Sequence, residues 1–205
     1  ARGWGNCMGT TRGVWSGPVG ALSASRRMLR CGTSGHGGGP VSPGPYRVDG
    51  LGQDVLALLG ALNIDQAYFC GISMGCHTGL WLGVHAGTRM RGIAVCNSAA
   101  KIGTAQAWQE RAATVRSQGA AAMQALADSA PGRWFTPGFT QAHPDIVQRA
   151  QAWIAGIAPE GYAACCEALA TSDLRESIGR IAVPTLLLAG ADDPVTTVAD
   201  AQAMQ

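Results

Sequence analysis

Charge is scarce in this chain. Only 14% of its 205 residues are charged, and 15 basic against 13 acidic side chains leave a net +2. No basic stripe exists to neutralise a phosphate backbone, which excludes nucleic acid as a partner. Long apolar runs are also missing. The longest, "IAVPTLLLAGA" (residues 181–191), falls well short of the roughly 18 residues that a membrane span needs. The seven cysteines are odd in number, form no C-x-x-C, and sit mostly in apolar runs, with Cys165 and Cys166 adjacent. That pattern favours buried free thiols in a reducing compartment over a disulfide framework. No H-E-x-x-H or comparable cluster of ligands appears, so a metal site is not expected. The chain opens at Ala1 without a methionine and stops at Gln205 in a helical pattern, which reads as a fragment truncated at both ends.

What is present suffices for one domain, since 47% of the residues are apolar. A first helix is expected over 14–25, then a short strand over 27–31. The stretch "GTSGHGGGPVSPGPY" can only be loop. Leu51, Val55, Leu58, Leu59 and Leu62 recur at helical spacing over 48–62. Strands are expected over 66–71, 93–96 and 185–190. Strands alternating with helices of this length imply parallel βαβ units, hence an α/β fold built on a mostly parallel sheet. Residues 103–174 break the alternation with helical signals only. They read as a helical lid inserted in a core formed by 1–102 and 175–205, over the strand ends where ligands bind in such sheets.

The chemistry centres on "YFCGISMGCHTG", residues 68–79. With 29 glycines in the chain, a G-x-S-x-G match arises by chance about 0.2 times, so the pattern alone is weak. Its flanks give it weight: an apolar strand leads in and an amphipathic helix leads out. That is the setting of a nucleophile elbow, with Ser73 at the tip and Gly71 and Gly75 letting strand and helix approach. The alternative is a turn serine in a Gly-rich loop. A serine hydroxyl needs a base, and the base an orienting acid. "LLLAGADDPVT" supplies that acid just past the last strand, and Asp193 is preferred over Asp192. The oxyanion hole needs one amide from the residue after the serine, Met74, and one from an early loop, for which "NCMGTT" offers Met8. None of the four histidines follows Asp193. His36 belongs to the Gly-rich loop, His77 and His85 ride the elbow helix, and His143 lies in the lid. The base is therefore expected outside these residues, and the 205-residue chain is expected to be nearly inactive alone.

Beyond the elbow, "NCMGTTRGVW", "VCNSAAKIGTAQAW", "RWFTPGF", "PEGYAACCEAL" and "LAGADDPVT" resemble the α/β-hydrolases, and within them the 3-oxoadipate enol-lactonase family. The resemblance implies a cytosolic, cofactor-free Ser-Asp-His hydrolase with a small lactone as its partner, acting in the β-ketoadipate route of aromatic catabolism. It places the nucleophile on Ser73 and the acid on Asp193. Because the implied substrate carries a carboxylate, a cation near the pocket is expected. Lys101 can fill that role or be an ordinary surface lysine. Trp108 and Trp134 can wall the pocket or be plain lid core. The chain departs from the family at 31–34, where Cys-Gly-Thr-Ser replaces Tyr-Asp-Thr-Arg, and at Cys7 and Cys76. Another esterase or perhydrolase of the same fold, or a non-catalytic hydrolase-like domain, stays open as an alternative.

Overall fold

The computed structural model describes residues 3–8, 15–24, 27–36 and 41–205. Five strands, β1 (Gly3–Met8), β2 (Arg27–Gly32), β3 (Ala67–Ile72), β4 (Met90–Cys96) and β5 (Thr185–Leu188), form one sheet in the order β2-β1-β3-β4-β5. Every neighbouring pair is parallel. Helices α1 (Ser16–Ser23), α2 (Val48–Ala61) and α3 (Met74–His85) connect the first four strands. Between β4 and β5 come α4 (Ala105–Gln118), α5 (Ala120–Ser129), α6 (Pro131–Trp134), α7 (Pro137–Ala142), α8 (Pro144–Ala155) and α9 (Pro159–Thr171), and α10 (Val198–Gln202) follows β5.

Two expectations need correction. "NCM" was expected in a loop, but Asn6, Cys7 and Met8 close strand β1, which lies between β2 and β3. A Gly-rich segment without apolar alternation carries no local strand signal; pairing on both sides makes it one. The expectation of free thiols holds at Cys70, Cys76, Cys96, Cys165 and Cys166, whereas Cys31 is disulfide-bonded.

Helix α3 is buried on nearly every side, which its glycines permit. A Cβ at Gly79 would stand 2.8 Å from the Phe69 ring, and one at Gly83 would stand 2.6 Å from Ile93 Cδ1. Phe69, Leu80 and Leu82 fill the space this close approach leaves and are fully buried, each worth about 2 kcal/mol in transferred area. The helical insert has its own core of Ala112, Val115, Met123, Ala127, Ile154 and Cys166. Helix α9 joins that core to the rest, since Ala164, Ala168 and Leu169 pack with Met74 and Ala99 at the strand ends. Arg116 on α4 reaches both Glu160 (2.9 Å) and Glu167 on α9, and Glu160 also accepts the Gly44 amide at 3.2 Å.

Candidate active site

Strand β3 ends at Ile72 and α3 begins at Met74, so Ser73 alone makes the turn. It does so at φ +51°, ψ −122°, a region that side chains other than glycine rarely adopt. The flanking glycines explain how the turn closes. A Cβ at Gly71 would stand 2.5 Å from the Gly75 carbonyl, so strand and helix touch backbone to backbone there. The Ser73 amide donates to Cys96 O (3.1 Å), and its carbonyl accepts from the Ser98 hydroxyl (3.0 Å) and the Cys76 amide (2.9 Å). Cys76, one of the departures from the family pattern, adds a tie of its own. Its thiol donates to Cys96 O at 3.3 Å and accepts from the Cys96 amide at 3.2 Å.

Two strands along, the chain passes β5 and turns through Gly190, whose carbonyl accepts the Asp193 amide at 3.2 Å. Asp193 Oδ1 accepts the backbone amides of Val195 (2.8 Å) and Thr196 (3.0 Å). Its Oδ2 accepts Asn97 Nδ2 (2.7 Å) and the Thr196 hydroxyl (3.0 Å). Partial burial pushes this carboxyl upward, but the donors from Asn97, Thr196 and Val195 outweigh it and hold Asp193 below its ordinary value. It is therefore ionised at neutral pH and able to accept an imidazole N–H. Asp192 beside it is exposed.

Ser73 and Asp193 thus stand at the C-terminal ends of β3 and β5, with β4 between them. Met74 opens α3, so its amide is among the helix-start N–H groups that lack an intrahelical acceptor. Met8 is the last residue of β1, on the other flank of β3. The remainder of the early loop, 9–14, lies outside the described residues.

The other expected residues are engaged elsewhere. Lys101 Nζ lies 3.1 Å from Asp173 Oδ2, and Arg175 pairs with the same carboxylate at 2.6 Å. Trp108 donates to Ile102 O at 2.5 Å, stacks under the Arg111 guanidinium, and bridges the insert's core to the elbow. Trp134 is 43% exposed on α6. A cleft of about 340 Å³ runs between α4 and α5 beside Arg111, Val115 and Leu126, and neither Ser73 nor Asp193 lines it. Among the histidines, His36 is buried against Cys165 (Nδ1 to Sγ 3.6 Å) and His77 against Ser172 (Nδ1 to Oγ 2.7 Å). Burial pushes both down to about 4, so both are neutral at pH 7. His85 stacks on Trp81, and His143 lies against Phe139 at the start of α8. None of the four is hydrogen-bonded to Ser73 or Asp193 among the described residues.

Three supporting residues escape a reading of the sequence. Asn97 and Thr196 hold the Asp193 carboxylate, and Ser98 holds the Ser73 backbone. The only trace of Asn97 and Ser98 is their place in "NSAAKIG".

A serine on a strained strand-to-helix turn, an ionised carboxylate two strands away and a helical insert between β4 and β5 are set on one parallel sheet, the architecture of an α/β hydrolase. The family model of the alpha/beta hydrolase fold matches residues 8–205, and the chain belongs to that family. More particularly, it is 49% identical over 197 residues to 3-oxoadipate enol-lactonase 2 of Acinetobacter baylyi, covering 96% of this chain and 73% of the relative. It is 42% identical to 3-oxoadipate enol-lactonase 1 of the same organism, covering 98% and 74%. Among solved structures, the enol-lactonase of Burkholderia xenovorans LB400 superposes with a TM-score of 0.93 at 36% identity, over all of this chain and 79% of that one.

Proposed function

We propose that this protein hydrolyses a lactone, opening 3-oxoadipate enol-lactone to 3-oxoadipate. The observation that carries the reading is Ser73, held on the elbow by Gly71 and Gly75 with ionised Asp193 at the end of the strand beyond next, in a chain so similar to enol-lactonases. Ser73 Oγ attacks the lactone carbonyl as a base takes its proton. The ring C–O bond breaks as the base hands that proton to the departing enol oxygen, and the acyl group stays on Ser73. Water, deprotonated by the same base, then attacks the acyl carbon, freeing the acid and returning the proton to Ser73; the released enol becomes the ketone. The Met74 amide, with that of Met8, holds the oxygen that turns negative in each tetrahedral state. Residues 103–174 act as the lid over the pocket, with Trp108 and Trp134 in its wall. Lys101 serves the substrate carboxylate by exchanging Asp173 for it. The base is a histidine outside the 205 residues, since His36 and His77 are spent on Cys165 and Ser172, His85 stacks on Trp81 and His143 lies against Phe139.

Kinetics on the enol-lactone test this. With the base-bearing segment attached, Ser73→Ala lowers kcat/KM by about 10³-fold or more while the fold survives. Retention of activity within about tenfold removes Ser73 from the role. Full turnover by the 205-residue chain alone assigns the base to one of its own four histidines instead.

A further inference from the structure

The residues that tie the nucleophile to the acid belong to one tripeptide, Cys96-Asn97-Ser98, at the C-terminal end of β4. Cys96 O accepts the Ser73 amide and the Ser98 hydroxyl donates to the Ser73 carbonyl, so the elbow is gripped on both sides of its strained residue. The residue between them turns its side chain the other way, onto Asp193. Asn97 has φ +46°, in the left-handed region where asparagine is tolerated better than most side chains. Its backbone amide still donates to Leu188 O at 2.8 Å, extending the β4–β5 pairing by one step. Gly190 leaves room for the side chain, since a Cβ there would come within 3.2 Å of Asn97 Nδ2.

The four donors to Asp193 divide by kind. Oδ1 is held by two backbone amides of its own turn, which fix the carboxylate's position in the chain. Oδ2 is held by two side chains, and the Asn97 contact at 2.7 Å is the shorter and, among the described residues, the only one that comes from outside the Asp193 turn, from the end of β4. A carboxylate anchored at one oxygen by its own loop can still swing with that loop. The second oxygen is pinned to the strand that also grips Ser73.

We propose that Asn97 is a positioning residue for the acid, locking Asp193 Oδ2 to the end of β4 so that the acid and the elbow share one frame. Among the described residues Asn97 is not hydrogen-bonded to the Ser73 hydroxyl; it acts through Asp193, and the inference rests on the reading of Asp193 as the triad acid. It follows that the amide also favours the ionised carboxylate, because it donates only to the charged form with full effect.

The test is an NMR titration of the ¹³C-labelled Asp193 carboxyl in the full 205-residue chain, its signal assigned by loss in Asp193→Asn. Asn97→Gly removes the amide and suits the positive φ, so backbone strain does not confound it. Its Asp193 midpoint moves up toward the ordinary carboxylate range. Asn97→Asp, nearly isosteric, sets a second carboxylate against Oδ2 and moves it up further, because the two share a proton; it carries the test if the glycine variant does not fold. An unchanged midpoint in the folded variant overturns the proposal. The titration needs no turnover, so it stands apart from the fate of Ser73→Ala. Where turnover is measured, Asn97→Gly lowers kcat about tenfold to a hundredfold with KM changed less than about twofold. A loss expressed in KM alone overturns it as well.

Discussion

Ser73 occupies φ +51°, ψ −122° because three contacts over-determine it: the Cys96 carbonyl on its amide, and the Ser98 hydroxyl and Cys76 amide on its carbonyl. Such a conformation costs on the order of 1–3 kcal/mol in a residue with a Cβ. Glycine escapes most of that cost, at the expense of about 0.5–1 kcal/mol more chain entropy in the unfolded state. Ser73→Gly is therefore expected to raise stability by about 1 kcal/mol, while Ser73→Ala, which keeps the Cβ, leaves it nearly unchanged. Urea midpoints of the two variants decide it; a Ser73→Gly midpoint below that of Ser73→Ala means that the elbow stores no strain. The serine itself was legible because its requirements are local, with Gly71 and Gly75 two residues to either side. Asn97 was not: its partner Asp193 lies 96 residues away, and only the pairing of β4 with β5 brings them together. The same holds for Lys101, whose carboxylate partner Asp173 is 72 residues on.

Helix α2 shows how one residue type takes opposite roles within one element. A Cβ at Gly50 would meet nothing within 4 Å, whereas one at Gly52 would stand 2.1 Å from Trp81 Cε3, where α2 crosses α3. Gly50→Ala should stabilise by about 0.5–1 kcal/mol through helix propensity. Gly52→Ala should destabilise by about 1–3 kcal/mol, because the Trp81 ring must leave its packed position. The pair is read from chemical denaturation, and two changes of the same sign would show that the α2–α3 contact yields freely. The elements themselves were largely readable. The leucine spacing located α2, and a proline stands at the start of each of α8 and α9. Within the helical signals over 103–174, the break between α4 and α5 falls at Gly119, with φ +58°. Strand β1 was the element the sequence hid, since its conformation comes from two neighbours rather than from its own residues.

At the scale of the whole molecule, a net charge of +2 gives little long-range repulsion, so acid sensitivity comes from particular buried groups. His36 and His77 are the two that matter between pH 6.5 and 4. Burial lowers both to about 4, against the opposing pull of the Ser34 backbone on His36, and of the Ala99 backbone and the Asp173 charge on His77. The unfolded chain therefore binds protons at these sites before the native state does. Stability is whole above about pH 6.5 and falls as the pH drops through that window, by on the order of 3 kcal/mol for each histidine at most. Asp173 is lowered by Arg175 and Lys101, so its contribution is lost only further down, as pH falls below the usual carboxylate range. Urea midpoints at pH 7.5, 6.5, 5.5 and 4.5 should drop most steeply between the middle two and the last. His77→Gln should lower stability at pH 7.5, because Ser172 loses its partner, yet remove about half of the decline toward pH 4.5. A full decline in His77→Gln would mean that the buried imidazole is not what makes the fold acid-sensitive.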